Sequence, residues 1–75
     1  MEEKIRNIMD DIAEGAGHYT GMNLFDDGMI DALQVIDLVS ELEDEFNIEI
    51  DAKYVVEDNF KTPDTVIALI KRIVE

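Results

Sequence analysis

Apolar residues recur at helical spacing in two long stretches and a shorter opening one. Ile5, Ile8, Met9 and Ile12 fall at i, i+3, i+4 and i+7, which predicts a helix opening near Glu2. Glu2 and Glu3 suit its positive end, and Gly15 and Gly17 are expected to stop it. From Gly15 to Ile30 no period is sustained. Leu24, Phe25, Met29 and Ile30 are the apolar anchors of a crossover loop, pinned over the core by Leu24 and Phe25. A second helix is predicted from about Ala32 to Phe46, with Asp31 as its N-cap and Asn47 as its stop. Val35, Leu38, Val39, Leu42 and Phe46 form its buried stripe, widened by Ile36; Gln34, Asp37, Glu41, Asp44 and Glu45 lie round the other side.

Ile48-Glu49-Ile50 alternates like a strand, yet no other segment offers it a partner, so it reads as an extended linker. Asp51 to Glu57 is predicted as a short helix carrying Tyr54 and Val55 inward. Thr62 caps the last helix, Pro63 takes its first position and Asp64 its positive end. Val66, Ile67, Leu69, Ile70, Ile73 and Val74 supply its apolar face, and Lys71 and Arg72 sit in the final turn, where positive charge is favoured. The expected fold is all-α: a four-helix bundle of three main helices and one short one, with a long loop between helices 1 and 2, in a single domain spanning 1–75.

Charge narrows the function. Nineteen acidic residues against six basic give a net charge of −13, which repels nucleic acid and anionic membrane surfaces and favours basic patches on other proteins. A hydrophobic content of 47% argues against an acidic disordered tail. The chain has no cysteine, so neither a disulfide framework nor a thiolate metal site is available to it. No apolar run is long enough to span a membrane and the start lacks signal-peptide order, so a cytoplasmic protein is expected; a monomer is expected as well.

Catalytic chemistry is poorly supplied. His18 is the single histidine, in a Gly-rich loop with no orienting partner evident; Ser40 is the single serine, at mid-helix, where a small interface residue is the simpler reading. Asp26-Asp27-Gly28 looks like the turn of a calcium loop. Aligning Gly28 with the loop glycine puts Phe25 and Gln34 where the third and twelfth ligands belong, and neither can serve. No metal site is expected beyond weak divalent binding by surface carboxylates. The glycines have neither the spacing nor the lysine of a P-loop. What remains is the start of the second helix, whose free N–H groups and macrodipole favour an anion near position 32.

Asp26-Asp27-Gly28-Met29-Ile30-Asp31-Ala32-Leu33, followed by Val35, Leu38, Leu42, Glu43-Asp44-Glu45-Phe46 and Ile48, resembles the acyl and peptidyl carrier proteins over essentially the whole chain. In that family the central tripeptide reads Asp-Ser-Leu, and the serine is esterified to 4′-phosphopantetheine, whose thiol carries acyl or aminoacyl groups between enzymes. The resemblance places that serine at Ala32, between Asp31 and Leu33. Alanine has no oxygen to esterify, so this chain is expected to stay apo, and Ser40, about two turns further along, is no substitute. Two explanations stand: serine replaced by alanine to hold a carrier in uniform apo form, or a natural relative without an arm that acts through protein contacts alone.

The resemblance further implies that Asp31, Asp37, Glu41, Glu43 and Asp44 face basic patches on partner enzymes, against the plainer reading of a solvated helix face. Leu33 would be an apolar partner contact, its alternative being an edge-of-core residue, and Ile36 a weaker one. The implied partners are a phosphopantetheinyl transferase, an adenylating ligase that loads the cargo, and a downstream synthase or acyltransferase. Ile30 before the tripeptide, Gln34 after it, and Asn59-Phe60-Lys61-Thr62-Pro63 look more like aminoacyl or D-alanyl carriers than fatty-acid carriers. The expected protein is a free-standing carrier, not an enzyme; a regulatory module that docks through the same acidic helix is the alternative.

Overall fold

In a computed structural model that describes residues 1–75, helix α1 runs Glu2–Ile12 and buries Ile5 and Met9. It ends earlier than the glycines suggest. Ala13 is already extended, and Gly15 takes the left-handed conformation (φ 85°) that opens a single 3-10 turn, Ala16–His18. Gly17 is not a helix stop. It lies buried against α1, donates its N–H to Asp10 Oδ1 at 2.8 Å, and accepts Arg6 Nη1 on its carbonyl at 2.9 Å. Arg6 Nη2 reaches Asp64 at 3.3 Å, so this one guanidinium joins α1, the turn and the last helix.

The crossover loop is pinned as its apolar residues suggest. Leu24 is fully buried, and its N–H donates to the Lys61 carbonyl at 2.7 Å; Phe25 and Met29 pack against the core from partly buried positions, and Ile30 is buried. Asn23 shapes the turn, its Oδ1 accepting the Phe25 N–H at 2.8 Å and the Asp26 N–H at 3.3 Å. Such an Asx turn supplies partners that the backbone lacks outside a helix.

Helix α2 spans Ala32–Phe46, buries Val35, Leu38 and Leu42, and ends at Asn47, whose left-handed φ of 53° is one that asparagine tolerates. Ile36 does not widen the buried stripe: it is 58% exposed, because the contacts of α2 are taken up by the residues around Leu38 and Leu42 on the opposite side. Residues 48–50 form no helix or strand, and the Ile48 N–H donates to the Glu43 carbonyl at 3.1 Å. Ile50 is buried, and its N–H is accepted by Glu43 Oε2 at 2.8 Å.

The helix expected over Asp51–Glu57 breaks in two. Asp51 accepts the Lys53 N–H on its side chain, which closes only one 3-10 turn, Ala52–Tyr54. Val55 and Val56 then leave helical geometry (ψ 71° and 153°), as β-branched residues do readily, and helix α3 is the single turn Glu57–Phe60. Tyr54 and Val55 still pack on the core from partly buried positions. Helix α4, Pro63–Val74, starts with reciprocal bonds between Thr62 and Thr65, with Pro63 at its first position. Its Val66, Ile67, Leu69 and Ile70 meet Phe60, Leu24, Ile5 and Met9 in one core, in a molecule of about 29 × 24 × 18 Å. The architecture is the expected all-α bundle of three main helices and one short one.

Candidate functional site

The start of α2 is built by reciprocal capping. Asp31 Oδ1 accepts the Gln34 N–H at 2.9 Å, and Gln34 Oε1 accepts the Asp31 N–H at 3.0 Å. Ala32 is the first helical residue and is exposed. The chain therefore presents the side chain at position 32 on a defined turn, at the end of the helix where an anion is favoured. Gln34, placed by the sequence pattern among solvated positions, is half-buried and sends its Nε2 to the Ile12 carbonyl at 3.3 Å.

Beside Ala32 lies a hollow of about 390 Å³, lined by Phe25, Ala32, Val35, Ile36, Val55, Val56 and Glu57. Six of these seven are hydrophobic. Sequence reasoning missed this feature because Val55 and Val56 reach it only when the expected Asp51–Glu57 helix is broken. Glu57 is fixed at the rim, accepting Asn23 Nδ2 at 3.3 Å. Leu33 is 74% exposed, which removes the edge-of-core reading and leaves a large apolar side chain in water next to position 32.

The acids of α2 divide by what they touch. Asp37, Glu41 and Asp44 are exposed, with neither an ion pair nor a side-chain hydrogen bond. Asp37 and Asp44 lie with Leu33, Ile36 and Ser40 on the side of α2 away from Leu38 and Leu42, and Glu41 sits at the flank between the two sides. Glu45 pairs with Lys4 at 3.4 Å. Glu43 departs from the expected outward set: it is half-buried, and one of its oxygens holds the Ile50 N–H. Asp31 is engaged in the cap.

His18 does have an orienting partner, Asp10, whose Oδ2 lies 3.0 Å from Nδ1; the contact depends on where α1 stops, which periodicity alone does not reveal. No nucleophile accompanies the pair. The broad depression near it, of about 750 Å³, is formed by Met1, Glu2, Glu3, Arg6, Asn7, His18 and Lys71, and its Arg6 and Lys71 are paired with Asp64 and Glu2. No helix is long and apolar enough to cross a membrane.

Compared with known families, the chain matches the phosphopantetheine attachment site family over residues 3–70. That is most of its length, and it takes in the whole of α2 and the turn before it. The chain belongs to this family, the acyl and peptidyl carrier proteins. No curated protein sequence is significantly similar to it. Members bear a 4′-phosphopantetheine group in their functional form, are not themselves catalytic, and work with phosphopantetheinyl transferases and synthases. The surroundings of position 32 suit that group: an exposed helix N-terminus for a phosphodiester and an apolar hollow alongside. The residue does not, since the methyl group of Ala32 has no oxygen to carry the linkage.

Proposed function

We propose that the chain is a carrier whose serine form holds acyl or aminoacyl groups as thioesters on a phosphopantetheine arm at position 32, and that the Ala32 form is locked apo. The observation that carries this reading is the placing of Ala32 as the exposed first residue of a capped helix, next to an apolar hollow. Docking falls to Leu33, Ile36, Asp37, Glu41 and Asp44, whose apolar tips and unpaired carboxylates complement a basic patch with an apolar centre. Asp31 shapes the site as its cap, and Glu43 supports it from behind by holding Ile50.

The aminoacyl likeness rests on positions with structural work of their own. Ile30 is buried, Gln34 caps α2, and Asn59 donates to the Tyr54 carbonyl at 2.8 Å. None of them lines the hollow beside Ala32. Cargo is accordingly assigned by challenging the serine form with adenylating enzymes of different specificity.

Ala32→Ser, incubated with coenzyme A and a promiscuous phosphopantetheinyl transferase, should gain the mass of one phosphopantetheine, while the Ala32 chain gains none. A serine form that stays unmodified sinks the carrier reading. The second reading, a regulatory module without an arm, is favoured by the intact docking face beside an alanine. It predicts that the Ala32 chain inhibits a carrier-dependent enzyme at concentrations near its own dissociation constant.

A further inference from the structure

The last carbonyls of a helix need partners from outside it. In α1 the last turn has no basic residue, and its end is not closed by a glycine. Ala13 returns its N–H to Met9, and Ala16 gives its N–H to Ala13. The Ile12 carbonyl is met from another helix, by Gln34 Nε2 at 3.3 Å. The same side chain accepts the Asp31 N–H through Oε1 at 3.0 Å. Both ends of one amide are used, one on each helix.

The tie matters because the first turn of α2 has little packing of its own. Residues 31–33 are exposed, and Val35 is the first buried residue of the helix. Helix ends fray where contacts are few. We propose that Gln34 is a positioning residue for position 32, fastening the first turn of α2 to the end of α1 so that the residue at 32 is held in one orientation. This rests on the reading of position 32 as the attachment point. The chemistry is specific to an amide. A glutamate there keeps the acceptor for Asp31 but turns a carboxylate oxygen toward the Ile12 carbonyl, acceptor against acceptor. A methionine of similar length keeps neither bond.

Two measurements test this. In the Ala32 chain, Gln34→Glu and Gln34→Met should speed amide exchange at Gln34 and Val35, whose N–H groups both bond to Asp31, relative to Leu38 and Leu42. The loss of one hydrogen bond in Gln34→Glu predicts an acceleration of about threefold to tenfold, and the loss of both in Gln34→Met at least as much. In the Ala32→Ser background the same variants should lower kcat of phosphopantetheine transfer by roughly that factor and change KM by less than about twofold, because alignment is lost and the docking face is not. The neutral methionine separates this effect from added charge. Unchanged exchange in both variants overturns the proposal, as does a loss confined to KM or faster exchange with an undiminished kcat. An Ala32→Ser chain that accepts no phosphopantetheine fails the site reading instead, and the exchange experiment still decides whether Gln34 fastens the turn.

Discussion

Gly17 lies so close to α1 that a Cβ added to it would overlap the backbone carbonyl of Arg6. The requirement is for space, with no left-handed backbone involved, and the neighbour is main chain, which yields poorly. Gly17→Ala must therefore part the 3-10 turn from α1, breaking the Asp10 and Arg6 bonds to Gly17 as it does so. A loss of about 3 kcal/mol is expected, which lowers Tm by more than roughly 10 °C in a domain of this size. Gly28 is the control: its φ is +71°, but nothing lies within 4 Å of an added Cβ. Gly28→Ala should lose only about 1–2 kcal/mol, the strain of a left-handed alanine. Thermal melts of the two variants check the contrast, and equal losses would contradict it.

Tyr19 and Asp27 supply a prediction at alkaline pH. The phenol donates to the Asp27 carboxylate, and this bond, with minor help from desolvation, raises the Tyr19 pKa above its ordinary 10.0. A raised folded value favours the neutral phenol. The stability it contributes is fully present below pH 10.0 and is lost as pH rises through the folded value. Phenolate absorbance should thus contain a late component that Tyr19→Phe abolishes and Asp27→Ala moves back toward 10.0. Gly21 leaves room for the Tyr19 ring, so Gly21→Ala, which would collide with it, should move the component the same way. A late component that survives Tyr19→Phe would refute the assignment.

Local signals were enough for α2 and α4. Asp31 and Thr62 are strong caps followed by long periodic stretches, and both helices start where those caps put them. The break at Val55-Val56 was not legible, because one turn capped by Asp51 and one capped by nothing read alike in seven residues of mixed pattern. The site divides in the same way. Position 32 comes from the family resemblance and the Asp31 cap, and the exposure of Asp37, Glu41 and Asp44 from helix phase, whereas the hollow, the Gln34–Ile12 bond and the turning of Glu43 toward Ile50 join segments far apart in sequence. The stripe reading of Ile36 fails for a related reason: an apolar residue at the edge of a stripe is buried only if another element arrives to cover it, and here none covers it fully.

Charge repulsion should make stability depend on salt. The net charge is −13, and Asp37, Glu41 and Asp44 have no basic partner to offset them. Raising ionic strength from about 0.01 M to 0.15 M shortens the Debye length from roughly 30 Å to 8 Å, less than a third of the molecule's longest dimension. Tm should rise by several degrees over that range, and further with millimolar magnesium. Asp37→Asn combined with Glu41→Gln should flatten the dependence. A Tm indifferent to salt would mean that repulsion among these carboxylates is not felt by the fold.

Glu43 and Asp44 are neighbours in sequence with opposite expected roles. Glu43 is half-buried and holds the Ile50 N–H at 2.8 Å, so its removal leaves a buried-edge donor without a partner. A hydrogen bond to a charged acceptor contributes about 1.5–3 kcal/mol, and Glu43→Ala should lower Tm by roughly 6 °C or more. Glu43→Gln, which keeps an oxygen for Ile50, should recover much of that loss. Asp44 is exposed and bonded to nothing, and Asp44→Ala should leave Tm unchanged or slightly raised. The kinetic pattern is reversed. In the Ala32→Ser background Asp44→Lys should raise KM for a phosphopantetheinyl transferase by about threefold to tenfold at low salt, with the difference shrinking as salt rises. Glu43→Gln, which removes one negative charge where Asp44→Lys reverses one, should change KM by much less than half as much. Equal effects of Asp44→Lys and Glu43→Gln on KM would place both carboxylates in the docking face, and the distinction drawn from the Ile50 bond would then be wrong.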